Sequence, residues 1–161
     1  MQSISPVFEF VDSTPSAKNE FINKWRVSAA YTMQVVRLMP EELLYFQPTG
    51  MTMQFNEQLI HMADNINFHC TSFLEAVHYR SEKPKSFAEY VNYLQGALDY
   101  GLGAISAFDE FRLGEKLPFV IGQYTAREVI MNMHDHLVHH RAQLTLYLRL
   151  NGIEPPIFMG E

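Results

Sequence analysis

Four of the seven histidines fall in one short run, Met133-His134-Asp135-His136-Leu137-Val138-His139-His140-Arg141-Ala142-Gln143. Imidazole carries protons near neutral pH and is the commonest protein ligand for metals, so spacing decides what such a run can do. On a helix each residue advances about 100°, and side chains four apart lie one above the other. His136 and His140 therefore share a face and can grip one ion. Val129, Met133, Gln143, Leu144 and Tyr147 lie within about 80° of His136 on the same wheel, which puts the pair on an inward stripe. His134 lies about 160° away and is expected in solvent, with Asp135 beside it. His139, about 60° from His136 on the side away from His140, marks the edge of the stripe. Arg141, about 140° from the His136 direction, is expected to serve the surface or an interface rather than a metal.

Two histidines do not make a centre, and a third ligand must come from another helix. His61 is the best candidate, at the edge of an apolar stripe with Gln54, Glu57, Gln58, Asp64 and Asn65 around it. Such a mixed polar edge can wall a cleft. His69 and His78 lie about two and nearly five turns further on and cannot share a site with His61. Three neutral imidazoles suit Zn²⁺, Ni²⁺ or another borderline first-row ion, and three protein ligands leave positions open for chemistry. Residues 137–139 are Leu-Val-His, so the His-Glu-x-x-His of zinc peptidases, with its built-in general base, is missing. Glu57 and Asp64 flank His61 at i−4 and i+3, where either can orient an imidazole or accept a proton. Cys70 lies about 13 Å along the axis from His61 on nearly the opposite face, and reads as a buried structural thiol.

These residues need long helices to position them, and the chain supplies four. Residues 1–13 read as an extended arm packed on the body. Thr14-Pro15 then offers an N-cap and a first-turn proline, and Phe21, Trp25, Ala29, Met33 and Val36 recur at helical spacing up to Met39-Pro40. After a connection holding Pro40, Pro48 and Gly50, Thr52 is expected to cap a second helix running to roughly Val77, striped by Phe55, Leu59, Met62, Ile66 and Phe73. A charged linker, Ser81-Glu82-Lys83-Pro84-Lys85, precedes a capping box of Ser86 and Glu89. The third helix carries Phe87, Tyr90, Val91, Leu94, Leu98, Leu102, Ile105 and Phe108, with Gly101 and Gly103 weakening its second half. In the 109–124 connection, Pro118-Phe119-Val120-Ile121 can be extended. Thr125 and Glu128 form another capping box, and the fourth helix runs to Leu150 before Asn151-Gly152 and Pro155-Pro156. Four amphipathic helices give an all-α four-helix bundle, one domain over 1–161.

Composition limits the function. The 161 residues are 47% apolar and 13% aromatic, enough for a packed core. A net charge of −6 without a basic run speaks against nucleic acid or anionic lipid as partner. Cys70 is the only cysteine, which excludes an intramolecular disulfide and points to a reducing compartment. The N-terminus lacks a basic and apolar leader, and no apolar run reaches membrane-spanning length, so a cytoplasmic location is expected.

Three stretches together resemble the DinB-like (YfiT-like) family of metal-binding four-helix bundles. They are Met39-Pro40-Glu41-Glu42-Leu43 with Pro48-Thr49; Phe55-Asn56-Glu57-Gln58-Leu59-Ile60-His61-Met62-Ala63-Asp64; and His136 to Leu144 continuing to Asn151-Gly152-Ile153-Glu154-Pro155-Pro156. The likeness spans about residues 15 to 156, and the family commonly has Gly where this chain has Ala142. It implies one divalent metal held by His61, His136 and His140, an up-down-down-up bundle, and a homodimer. Some relatives are thiol-dependent transferases and others are described as hydrolases. The expected function is thus a metal-dependent S-transferase that activates a low-molecular-weight thiol, with Glu57 or Asp64 as proton acceptor. A hydrolase using activated water is the alternative, and a non-enzymatic metal-stabilised dimer or small-molecule binding module is a third.

Overall fold

The computed structural model describes residues 16–78, 82–119 and 122–158. The expected arm at 1–13 lies outside these residues, as do Thr14 and Pro15 themselves; the N-cap of the first helix is Ser16, two residues later than Thr14. Four helices form the body: α1 (Ala17–Arg37), α2 (Phe55–Phe73), α3 (Phe87–Ala107) and α4 (Ala126–Leu150). Short 3-10 turns at Glu41–Leu43 and Glu110–Arg112 tighten two connections. The extended piece before α4 is a small hairpin, β1 (Lys116–Phe119) paired antiparallel with β2 (Gly122–Thr125), Lys116 opposite Thr125. No helix among the described residues is long and apolar enough to cross a membrane.

Helix starts follow local chemistry. The Ser16 hydroxyl accepts the Asn19 N–H at α1, and Ser86 accepts the Glu89 N–H at α3. Thr125 and Glu128 close a reciprocal capping box at α4, as their spacing predicted. At α2 the sequence expectation fails by two residues. Gln54 is the N-cap, and Thr52 instead donates its hydroxyl to the Thr49 carbonyl in the preceding turn. Helix α2 also stops four residues short of Val77, because Leu74 caps it and Glu75 takes a left-handed backbone (φ 56°) that no helix continues through. Helix α3 runs unbroken through Gly101 and Gly103.

The contacts fix the direction of every helix. Trp25 on α1 donates its indole N–H to the Leu98 carbonyl of α3, and Lys18 reaches Ser106 and Phe108, so α1 and α3 are antiparallel. Asn56 meets Tyr90 and Asp64 meets Tyr93, so α2 and α3 run parallel. Gln58 pairs with Gln143 and Tyr147, and Cys70 with Met133, so α2 and α4 are antiparallel. The result is up-down-down-up. Parallel α2 and α3 need a connection as long as a helix. Helix α3, at 21 residues, is about 31 Å long, and the stretch from Leu74 to Ser86 can span about 43 Å when extended. The early stop of α2 is what supplies that length.

One close approach locks three helices together. A Cβ at Gly101 would lie 2.7 Å from Trp25 Cζ2 and 3.0 Å from Ile66 Cγ2. Trp25 and Ile66 are both about 1% exposed, so the glycine on α3 makes room for α1 and α2 at once.

Candidate metal centre

The site is built on the seam between α2 and α4. His61 lies two turns into α2, and His136 and His140 project from the middle of α4 one turn apart. Because the helices run antiparallel, the three rings converge. One ligating nitrogen from each lies within 4.8 Å of the others, and among the described residues this is the one such group of histidine, cysteine or carboxylate side chains. Ring centroids are 4.9 Å apart for His61 and His136, 4.6 Å for His61 and His140, and 4.4 Å for His136 and His140. The Nε2 atoms of His61 and His136 are 3.0 Å apart. A tetrahedral ion with bonds near 2.05 Å holds its donors about 3.3 Å apart, so a small outward shift of these rings seats one. His140 is buried, while His61 and His136 are half-buried and border the surface.

Electrostatics favour the ligating form. Burial, then the neighbouring His140 and His61 rings, push the His136 pKa down to about 3. Burial, then His61 and His139, push His140 down to about 4. Both rings are therefore neutral near pH 7, the state in which imidazole binds metal. The donor set fits a borderline divalent ion: three imidazole nitrogens from two helices, with no carboxylate in the group.

The two flanking carboxylates have other partners. Glu57 folds back to accept the Gln54 N–H at 2.8 Å and so starts α2, while Asp64 accepts the Tyr93 hydroxyl at 2.8 Å from α3. Both are exposed. Cys70 is fully buried against Met133, and burial raises its thiol to about 12. It takes no part in the group.

Two residues of the histidine run sit where the helical wheel did not put them. His134 is only 13% exposed rather than solvated, because α1 packs over it; Phe21, Lys24 and Trp25 share a shallow pocket with it. Arg141 is 6% exposed rather than on the surface. It donates through Nη1 to the Ser28 carbonyl and hydroxyl, at 3.3 and 2.7 Å, and its guanidinium lies over the Tyr31 and Phe158 rings. His139 is exposed, as its place on the wheel implies, and bonds Gln143.

The largest omission from the sequence reading is Gln58. It is fully buried, and its Oε1 meets His140 Nδ1 at 2.5 Å. Its Nε2 meets Gln143 Oε1 at 2.6 Å and the Tyr147 hydroxyl at 3.3 Å. The available signal was an amide interleaved with Phe55, Leu59 and Met62, three residues before His61. The connection before α2 is tied in as well, since Phe55 and Asn56 donate backbone N–H groups to Phe46 and Leu44, and Phe46 packs edge-on against Tyr147.

The same architecture recurs in solved structures. A DinB-like protein from Bacillus subtilis superposes with a TM-score of 0.74 at 14% identity, covering 87% of this chain and 96% of that one. A DinB-like protein from Bacillus cereus ATCC 10987 gives 0.70 at 17% identity, covering 86% and 95%. Among curated proteins, none matches the sequence. The sequence profile of the DinB family matches residues 13–160, nearly the whole chain and all four helices, and the protein belongs to the DinB family.

Proposed function

We propose that the protein is a metal-dependent enzyme, with Zn²⁺ or Ni²⁺ held by His61, His136 and His140, that transfers a low-molecular-weight thiol to a small electrophile. The observation that carries this reading is the convergence of three imidazoles from two antiparallel helices, with their ligating nitrogens within 4.8 Å of one another. An ion bound by three neutral ligands keeps its charge and an open position, and supplies Lewis acidity that lowers the pKa of a thiol. The protein's own part is to hold His136 and His140 neutral, to orient the rings, and to border them with half-buried positions that a small molecule can reach.

The thiol reading is favoured over hydrolysis by the state of the carboxylates. Activated water attacks best with a carboxylate base at hand, whereas Glu57 caps α2 and Asp64 bonds Tyr93. A thiol, with its ordinary pKa near 8.5, needs far less help.

The test is elemental analysis of untagged protein, wild type against His61→Ala, followed by a panel of low-molecular-weight thiols with a chromogenic electrophile. About one zinc or nickel per chain, lost in the variant, with thiol-dependent turnover that tracks metal content, is the expected result. Metal-replete conditions that leave the wild type without an ion would overturn the reading.

A further inference from the structure

The hydrogen bonds around Gln58 have a direction, and a group that cannot be reversed sets it. The Tyr147 hydroxyl lies 2.7 Å from the Met53 backbone carbonyl, which can only accept. Tyr147 therefore spends its one proton on Met53 and presents oxygen lone pairs to Gln58. The Gln58 atom facing it must be the amide nitrogen, which places Nε2 toward Tyr147 and Gln143, and Oε1 toward His140. An amide oxygen accepts only, so His140 Nδ1 must carry a proton. In a neutral ring the lone pair then falls on Nε2.

We propose that Gln58, oriented by Tyr147 and the Met53 carbonyl, is a positioning residue that fixes His140 in the Nδ1–H tautomer and leaves Nε2 as its metal-binding atom. The proposal rests on the three-histidine metal centre and adds to it the residue that prepares one ligand. Gln58 is suited to this because it is fully buried and makes all of these bonds inside the seam. Gln143 gives a second restraint. It accepts from Gln58 through Oε1, and its Nε2 lies 2.8 Å from His139 Nε2, so its amide is oriented at both ends. The ordering runs from the connection before α2 into the site, from Met53 to Tyr147, Gln58 and His140.

The experiment pairs two readouts on four proteins: ring ¹⁵N shifts of His140 in the metal-free protein, and the zinc Kd by competition with a chromogenic chelator. The wild type should show a protonated Nδ1 and an unprotonated Nε2. Gln58→Leu should give mixed tautomers and weaken zinc by about 10- to 100-fold, the usual cost of losing a partner behind a ligating histidine. Gln58→Glu should keep the wild-type tautomer and bind zinc more tightly than Gln58→Leu, because one carboxylate oxygen still accepts from Nδ1–H even though the other has no proton for Gln143 or Tyr147. Tyr147→Phe removes only the anchoring hydroxyl and should weaken zinc several-fold. A merely structural Gln58 predicts the opposite order, since a carboxylate costs more to bury than leucine. Equal tautomers and Kd values in Gln58→Leu and wild type, or an Nε2–H tautomer in the wild type, would overturn the proposal. A wild type that binds no ion would remove the metal reading instead, and the metal-free spectra alone would then uphold or overturn the tautomer assignment.

Discussion

Helix α4 buries polar groups on two sides, and the two seams are built on different principles. Toward α1, Arg141 places a full positive charge where only 6% of the residue is exposed. The protein answers that charge with the Ser28 carbonyl and hydroxyl and with two aromatic faces. Toward α2, His61, His136 and His140 aim ring nitrogens at one another, with two of the rings held neutral by burial and crowding. A cation ringed by acceptors is a finished interaction, and it clamps helices. Three imidazoles with ligating nitrogens within 4.8 Å of one another form a group compatible with a shared ion. On the proposed reading, the same helix carries a strut on one side and a receptor on the other.

The sharpest way to break this contrast is to remove a ligand. His136→Ala should weaken zinc by more than about 100-fold, since His61 and His140, one from each helix, make a poor site alone, while far-ultraviolet circular dichroism stays helical. Retention of one ion per chain would mean that the α2 seam is not the receptor.

Arg141→Leu should do the reverse. It takes the donor from the buried Ser28 hydroxyl and loses both ring contacts, while the Ser28 carbonyl keeps the Thr32 hydroxyl at 2.7 Å, a cost of roughly 1–3 kcal/mol readable as a lower urea midpoint. Zinc affinity should stay within about threefold of wild type. A variant that kept its stability and lost its metal would erase the distinction between the seams.

Acid should act on the receptor side. His136 and His140 hold pKa values of about 3 and about 4 in the folded protein, against about 6.5 in an unfolded chain. The unfolded state therefore takes up protons first, so stability is full above about pH 6.5 and falls as pH drops toward 3–4. Urea midpoints of the metal-free protein between pH 7 and 4 should show this slope, and it should flatten in a His136→Ala, His140→Ala double variant. An unchanged slope would assign acid sensitivity to other groups.

The smallest expected effect is Glu57→Gln. It weakens the carboxylate bond to the Gln54 N–H at the start of α2 and should cost under about 1 kcal/mol, with metal content unchanged. A large fall in turnover with the ion retained would move Glu57 from cap to proton acceptor and revive the hydrolase reading.

Much of this architecture was readable from residue types. The four helices, the Ser86 cap, the box at Thr125 and the stop at Asn151-Gly152 depend on groups within a turn of each other, and they stand in the structure as expected; the box expected at Ser86 is only half made, because Glu89 accepts the Lys85 N–H and not that of Ser86. The start of α2 was misplaced because Thr52 and Gln54 are both able to cap, and the turn at Thr49 claims Thr52. Where α2 ends depends on Leu74 and Glu75, a pair with no helix-breaking residue type.

His136 and His140 were legible because covalent geometry alone stacks residues four apart on a helix. The pairing with His61 was suggested by its polar edge, but the convergence belongs to the antiparallel crossing of α2 and α4, which no single helix encodes. Arg141 and His134 were read outward because a helical wheel defines one stripe. In a four-helix ring each helix touches two neighbours, so α4 is covered on the α1 side as well as the α2 side, and its buried arc widens to take both residues in. Gln58 shows the same division. Sequence determined that an amide lies three residues before a candidate ligand; only the packing of Tyr147 and Met53 against it decided which of its two ends faces His140.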